Sequence, residues 1–256
     1  MASPQSVPER IAALGPWFYE FDLGAQGRTA SILPPEVLPI HQTRREMVER
    51  VVDQYFGDRL PQIRCLDVGC HEGYFSLAMA RKGVREVRGV DVREESLEKA
   101  RLVAEILGLR NLAYTRQNCE SMQIEGTEPY ELCLFLGVLY HLENPMLALR
   151  NISRVTKELC VIETQVVDEV EGNAEWGSRD WIRKYSGVLA IVDESDEFYN
   201  DNREAGATPL ALCPSPAALE AMLKHAGFRR TEMIQPPAGA YEQHARGKRV
   251  VCAAYK

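Results

Sequence analysis

The chain has 256 residues, 45% of them hydrophobic, and a formal charge of -7 from 37 acids against 30 bases. That length allows one large α/β domain with embellishments, and the composition is that of a globular protein rather than a disordered, repetitive or collagenous one. No apolar run is long enough to span a bilayer, nothing reads as a secretory leader, and no segment repeats. The seven cysteines lie in strand-like apolar runs without a Cys-x-x-Cys pair, which predicts buried free thiols in a reducing cytoplasm.

The charge is concentrated. Residues 168 to 204 hold eleven acids and four bases, leaving 26 of each elsewhere. A neutral core with one acidic segment argues against a polyanion lying across that face.

Residues 1 to about 60 precede the first core strand. They contain an aromatic cluster, Trp17-Phe18-Tyr19-Glu20-Phe21, and a Leu33-Pro34-Pro35 turn or extended piece. A helix then opens on the capping box Thr43-x-x-Glu46, presents Met47, Val48, Val51, Val52, Tyr55 and Phe56, and ends at Gly57. From Ile63 strands and helices alternate. The predicted strands are 63–68, 84–91, 111–117, 131–137 and 158–166, with helices after Gly73, around Leu97 to Leu107, and near 144–154.

Periodicity lapses from Val167 to about Leu212, where Trp176, Trp181, Tyr185, Phe198 and Tyr199 mix with acids. A structureless stretch that long calls for a task. A helix capped by Ser215, with Pro216 first and Gly227 last, and strands at 230–234 and 249–254 complete the chain. This order predicts a doubly wound, mostly parallel sheet of seven strands closed by a final antiparallel strand.

The most informative letters are at two strand ends. The first strand runs into Asp67-Val68-Gly69-Cys70-His71-Glu72-Gly73, and the second ends at Asp91, 22 residues after Gly69. Gly69 permits a tight turn that frees backbone amides for a ligand, and Asp91 is placed to accept hydrogen bonds from ribose hydroxyls. A dinucleotide site requires Gly-x-Gly-x-x-Gly to bring a pyrophosphate to the helix start, but His71 stands where the second glycine belongs. Asp67-x-Gly69-x-x-x-Gly73 instead resembles the first motif of the class I S-adenosylmethionine-dependent methyltransferases. Gly137-Val138-Leu139-Tyr140-His141, with Pro145 beyond, resembles members in which a histidine follows the fourth strand. It also resembles the branch that transfers a carboxymethyl group to a tRNA wobble uridine.

The resemblance covers about residues 60 to 166 and the helix from Ser215 to Phe228, and it implies a Rossmann-like methyltransferase domain over 61–256. Residues 1–60 would be an N-terminal extension or cap, and 167–212 an insertion that covers the substrate. It implies S-adenosylmethionine as cofactor, held by Asp67, Gly69, Cys70, His71, Gly73, Asp91, Val92, Asn118, Cys119, Glu120, Leu136 and Gly137. The adenine would meet Asn118 and Cys119. His141 is the candidate base because an imidazole titrates near neutrality, and its other reading is a loop-shaping hydrogen bond. Tyr140 either positions the acceptor or stacks near the sulfonium.

Trp17, Phe18, Trp176, Trp181 and Tyr185 are the candidate acceptor contacts, which suit an apolar or cationic small molecule. Five histidines show no ligand spacing, so no metal is expected. The expected activity is methyl transfer to an oxygen or nitrogen of a small molecule, the alternatives being tRNA carboxymethyl transfer and a silent cofactor-binding protein. No membrane partner is expected, and the residues leave the oligomeric state open.

Overall fold

The computed structural model describes residues 6–122, 128–175, 177, 181–195 and 208–256. Helix α1 (Val7–Ala13) leads into an extended segment held by bridges between Trp17 and Ser31 and between Asp22 and Arg28. Helix α2 spans Pro39–Phe56. It starts one turn before the predicted capping box, because Pro39 suits the first helical turn and the Thr43 hydroxyl is used elsewhere, accepting the Tyr241 amide at 2.9 Å. Gly57 ends it with φ of 49°, as its left-handed freedom allows.

The alternation follows as β1 (Arg64–Val68), α3 (Tyr74–Arg81), β2 (Glu86–Asp91), α4 (Glu94–Ile106), β3 (Leu112–Arg116), β4 (Tyr130–Leu136), α5 (Pro145–Val155) and β5 (Thr156–Gln165). Residues 167 to 212, read as irregular, contain two small antiparallel pairs. These are β6 (Asn173–Ala174) with β7 (Arg183–Lys184), and β8 (Leu189–Asp193) with β9 (Leu210–Pro214). The chain closes with α6 (Pro216–Ala226), β10 (Arg230–Ile234), α7 (Glu242–Ala245) and β11 (Arg249–Tyr255).

Seven strands form one sheet in the order β10-β11-β5-β4-β1-β2-β3. β1 pairs in parallel with β2 and β4, β2 with β3, and β4 with β5, whereas β11 runs antiparallel to both β5 and β10. This is the mixed α/β sheet, mostly parallel with an antiparallel closing strand, that the alternation predicts.

Because the central strands are covered on both faces, they read as continuous apolar runs. Leu132, Leu134 and Leu136 of β4 face the layer of α2 and α3 with Met47, Val52 and Met79. Cys133 and Phe135 face α5 and α6 with Leu149, Ile152, Leu219 and Leu223. Each such fully buried Leu, Ile or Phe contributes about 1.5–3 kcal/mol. All seven cysteines are buried and unpaired. Among the described residues, no helix is long and apolar enough to cross a membrane, and no cluster of three or more His, Cys, Asp or Glu could hold a metal.

Strand order reverses between β1 and β4, so their carboxyl ends, with that of β2, open a crevice.

Candidate active site

A cavity of about 260 Å³ occupies that crevice. Of the predicted cofactor residues, Gly69, His71, Asp91, Val92, Asn118, Cys119, Glu120, Leu136 and Gly137 line it, as do Tyr140, His141 and Phe18. The other predicted residues lie elsewhere, each for a physical reason. Asp67 is buried beneath the loop and accepts the Ser76 hydroxyl at 2.6 Å. Burial raises its carboxyl to about 6, against the opposing pull of the Ser76 hydrogen bonds. Cys70 is buried under Gly89, where a Cβ would come within 2.9 Å of its sulfur. Gly73 has φ of 82°, and a Cβ there would stand 2.2 Å from the Tyr114 hydroxyl, so it is needed for close packing of α3 on β3.

Trp17 is 4% exposed, donates its indole N–H to the Ile11 carbonyl at 3.0 Å, and packs in a satellite core with Phe21, Leu77 and Val103. Trp181 and Tyr185 lie outside the cavity on the exposed β6–β7 pair, Trp181 beneath the Arg183 guanidinium and Tyr185 against Gly172. Trp176 lies outside the described residues.

Four amides of the glycine loop are taken up within the protein. The amides of Gly69 and Cys70 both donate to the Val90 carbonyl, that of Gly73 to Cys70, and that of His71 to Asp91. Gly69 instead permits contact: a Cβ on it would stand 2.3 Å from a Val138 methyl, and its φ of 72° suits glycine. His71 holds a left-handed φ of 51°, uncommon for a residue with a side chain. Its imidazole is packed edge-on to Phe18 at 5.2 Å, and burial lowers its pKa to about 3.

Asp91 carries the second strand's carboxylate to the cavity. One oxygen accepts the His71 amide and the other the Arg93 amide, both at 2.9 Å. Each oxygen keeps a lone pair for a ligand hydroxyl. Asn118 makes a turn, its side-chain oxygen accepting the Glu120 amide at 2.8 Å, while Glu120 accepts the Asn144 amide at 3.0 Å. These bonds fix the loop after β3 against the start of α5.

After β4 a 3₁₀ turn, Leu139–His141, brings Tyr140 and His141 to the cavity with ring centroids 4.0 Å apart. His141 Nδ1 lies 3.2 Å from Glu194 Oε1, in the loop after β8. Burial lowers the His141 pKa, helped by Arg249 and Arg93, and Glu194 opposes this without reversing it. The shift favours the neutral imidazole, the form able to accept a proton.

Below Tyr140 is a charge cluster that sequence reasoning missed. Glu163 of β5 is fully buried, with Arg249 Nη1 2.8 Å and Arg44 Nη2 3.1 Å from its oxygens, and His244 Nε2 at 3.5 Å. Arg249 also donates to the Tyr140 hydroxyl at 2.7 Å. Arg44 and Arg249 both line the cavity. The available signal was a carboxylate directly after the apolar run Leu159 to Ile162, still inside the predicted strand 158–166. Glu72 was missed too. Buried at 1% exposure, it accepts the Phe18 and Tyr19 amides and pairs with Lys99 at 2.6 Å, which holds the N-terminal segment over the cavity.

Residues 60–211 match a family model described as a methyltransferase domain. Ubiquinone biosynthesis O-methyltransferase of Vibrio vulnificus (strain YJ016) is 31% identical over 128 residues, which is 49% of this chain and 52% of that protein. The enzyme of the same name from Neisseria meningitidis serogroup A (strain DSM 15465 / Z2491) is 30% identical over 94 residues, 37% of this chain and 40% of its own. The chain thus spans about half the length of the curated relatives it matches, or less.

Among solved structures, the N-terminal domain of EvdMO1, crystallised in the presence of SAH and D-fucose, superposes with a TM-score of 0.70 at 23% identity. The match covers 97% of this chain and 95% of that one. Magnesium protoporphyrin IX methyltransferase from Synechocystis PCC 6803 with bound SAH gives a TM-score of 0.57 at 17% identity, over 89% and 90% of the two chains. These likenesses are of fold.

Proposed function

Because the chain belongs to this methyltransferase-domain family, whose cofactor is S-adenosylmethionine, we propose that it transfers a methyl group to an oxygen or nitrogen of a small-molecule acceptor. The observation that carries the reading is the shared cavity. An imidazole, His141, and a ribose-ready carboxylate, Asp91, line one crevice at the carboxyl ends of β4 and β2. That the relatives are O-methyltransferases by name favours oxygen as the atom methylated. Seven unpaired thiols support a reducing cytoplasmic setting.

The residues fit the cofactor. Both His41 ring nitrogens and His71 Nδ1 are buried without a hydrogen-bond partner, and both residues line the cavity. Asp91 would hold the ribose hydroxyls, Asn118 and Cys119 the adenine edge, and Arg44 with His41 the charged amino-acid end. Bound there, S-adenosylmethionine supplies an electrophilic methyl group on a sulfonium. The chain's own work is to align the acceptor at short range and to take its proton on His141.

A second reading is favoured by one observation. Two arginines meet the cavity wall beside Tyr140, and Glu163 offsets only one of their charges. A guanidinium at that wall would attract a carboxylate carried on the transferred group, so a carboxylated cofactor analogue, and with it carboxymethyl transfer to a wobble uridine, is the alternative.

Titration calorimetry with S-adenosylmethionine, its carboxylated analogue and NAD separates these readings. Selective capture of S-adenosylmethionine supports the first and preference for the analogue the second, while capture of NAD alone overturns both. In the same assay Asp91→Ala should weaken cofactor binding by about 1.5–3 kcal/mol, and unchanged affinity would remove Asp91 from the site.

A further inference from the structure

Glu194 stands one residue beyond β8, yet its carboxylate meets His141, 53 positions away in sequence, at 3.2 Å. Both side chains are withdrawn from water, at 14% and 6% exposure. The contact is fixed from two directions. The Glu194 amide donates to the Pro209 carbonyl at 2.6 Å, and the Leu212 amide of β9 donates to the Leu142 carbonyl at 3.2 Å. The second bond ties the β8–β9 ribbon to the turn that carries His141. A carboxylate is an acceptor only, so the ring nitrogen facing it must carry a hydrogen, and the lone pair of a neutral imidazole then falls on Nε2.

We infer that Glu194 is a positioning residue, fixing His141 as the Nδ1–H tautomer so that Nε2 is free to take the acceptor's proton. The inference rests on the methyl-transfer reading for the identity of that proton. The acceptor's O–H or N–H bond breaks toward Nε2, its electron pair stays on the acceptor atom to bond the methyl carbon, and the carboxylate offsets the imidazolium that forms. Among the described residues, the other charged groups facing His141 are Arg249 of β11 and Arg93 beyond β2, with Glu120 and Glu143 in the same cavity. Both arginines oppose an imidazolium, so Glu194 supplies the compensating charge. The insertion thus provides part of the catalytic geometry.

The test needs no acceptor. In long-range proton–nitrogen spectra of protein labelled at histidine nitrogen, the His141 signal is assigned by its loss in His141→Gln. Wild type is expected to show the Nδ1–H tautomer. Glu194→Ala should shift it toward Nε2–H, while Glu194→Gln, whose carbonyl still accepts, should retain Nδ1–H. In both variants His141 should titrate at lower pH than in wild type, because the opposing anion is gone. Once an acceptor is found, Glu194→Ala should also lower kcat by about tenfold or more, with the acid limb of its pH profile moved down.

An Nε2–H tautomer in wild type, or an unchanged tautomer and titration in the folded variants, overturns the inference. Should Glu194→Ala fail to fold, the Glu194→Gln titration decides, and an unshifted midpoint sinks the idea. Cofactor calorimetry on the same samples separates the two failures. Cofactor capture with the wrong tautomer defeats the inference alone, and the expected tautomer without cofactor capture defeats the methyl-transfer reading alone.

Discussion

Glu163→Gln tests the physical account of the site at the point where its energies are largest. The wild-type carboxylate has Arg249 at 2.8 Å and Arg44 at 3.1 Å, and the three side chains are 0%, 7% and 8% exposed. Burial by itself would push the Glu163 carboxyl up, but the Arg249 and Arg44 charges, with the Arg249 hydrogen bond and His244 nearby, outweigh it and hold the group well below the usual carboxylate range. Glutamine keeps the shape and removes the charge, leaving two buried guanidinium groups facing each other uncompensated.

Removing one partner of a buried pair costs about 3–5 kcal/mol. In a chain of this length each kcal/mol moves Tm by about 2–4 °C, so a fall on the order of 10 °C is expected. The sign with pH follows from the depressed pKa. The stabilisation is present above the unfolded carboxyl's 4.5 and is lost as pH falls below it toward the folded value. Thermal and urea unfolding of both proteins from pH 7 down to pH 3 reads this directly. A gap of under about 1 kcal/mol at pH 7, or one that does not narrow in acid, would refute the assigned electrostatics.

Asp67→Asn should act in the opposite sense. Its folded carboxyl, raised to about 6 from 3.8, favours the fold below the unfolded value and loses that contribution as pH rises through 6, so the variant should be more stable at pH 7 by about 1–3 kcal/mol and equal near pH 3 to 4; urea midpoints across that range check it. Gly73→Ala should cost about 2–4 kcal/mol, since it adds left-handed strain to a 2.2 Å clash with Tyr114, and a change below about 0.5 kcal/mol in urea unfolding would show that the loop is not so constrained. Glu72→Ala removes the acceptor of the Phe18 and Tyr19 amides, which should then exchange hydrogen at least tenfold faster by mass spectrometry while β4 amides keep their protection.

Most of the fold was legible because its signals are local. Gly57, Gly227 and Pro216 mark helix ends through backbone conformations that no neighbour need enforce, and the stretches Leu132–Leu136 of β4 and Leu159–Ile162 of β5 are apolar because both faces are covered. Thr43 shows the limit. Its capping box is a valid local signal, overridden when a residue 198 positions away took the hydroxyl. The small β8–β9 pair escaped for a related reason, since its two strands are separated by a long acidic stretch and neither has a turn signal that names the other.

Most residues read for the cofactor line the cavity, because a motif places them at a strand end, whereas of those read for the acceptor Trp17, Trp181 and Tyr185 do not, because composition does not say which way an extended chain points. Trp17, Phe18 and Tyr19 illustrate this. Trp17 entered the satellite core with Phe21, whereas Phe18 and Tyr19 both line the cavity, so the cluster's composition did not tell which ring would reach the crevice. Arg44, Glu72, Glu163 and Glu194 depend wholly on partners distant in sequence. Of these only Glu163 carried a warning, because a carboxylate in the middle of a buried strand must be paired or the strand is not buried. Reading that constraint forward would have required two cations somewhere in the chain, and their identity became visible only when α2 and β11 met β5.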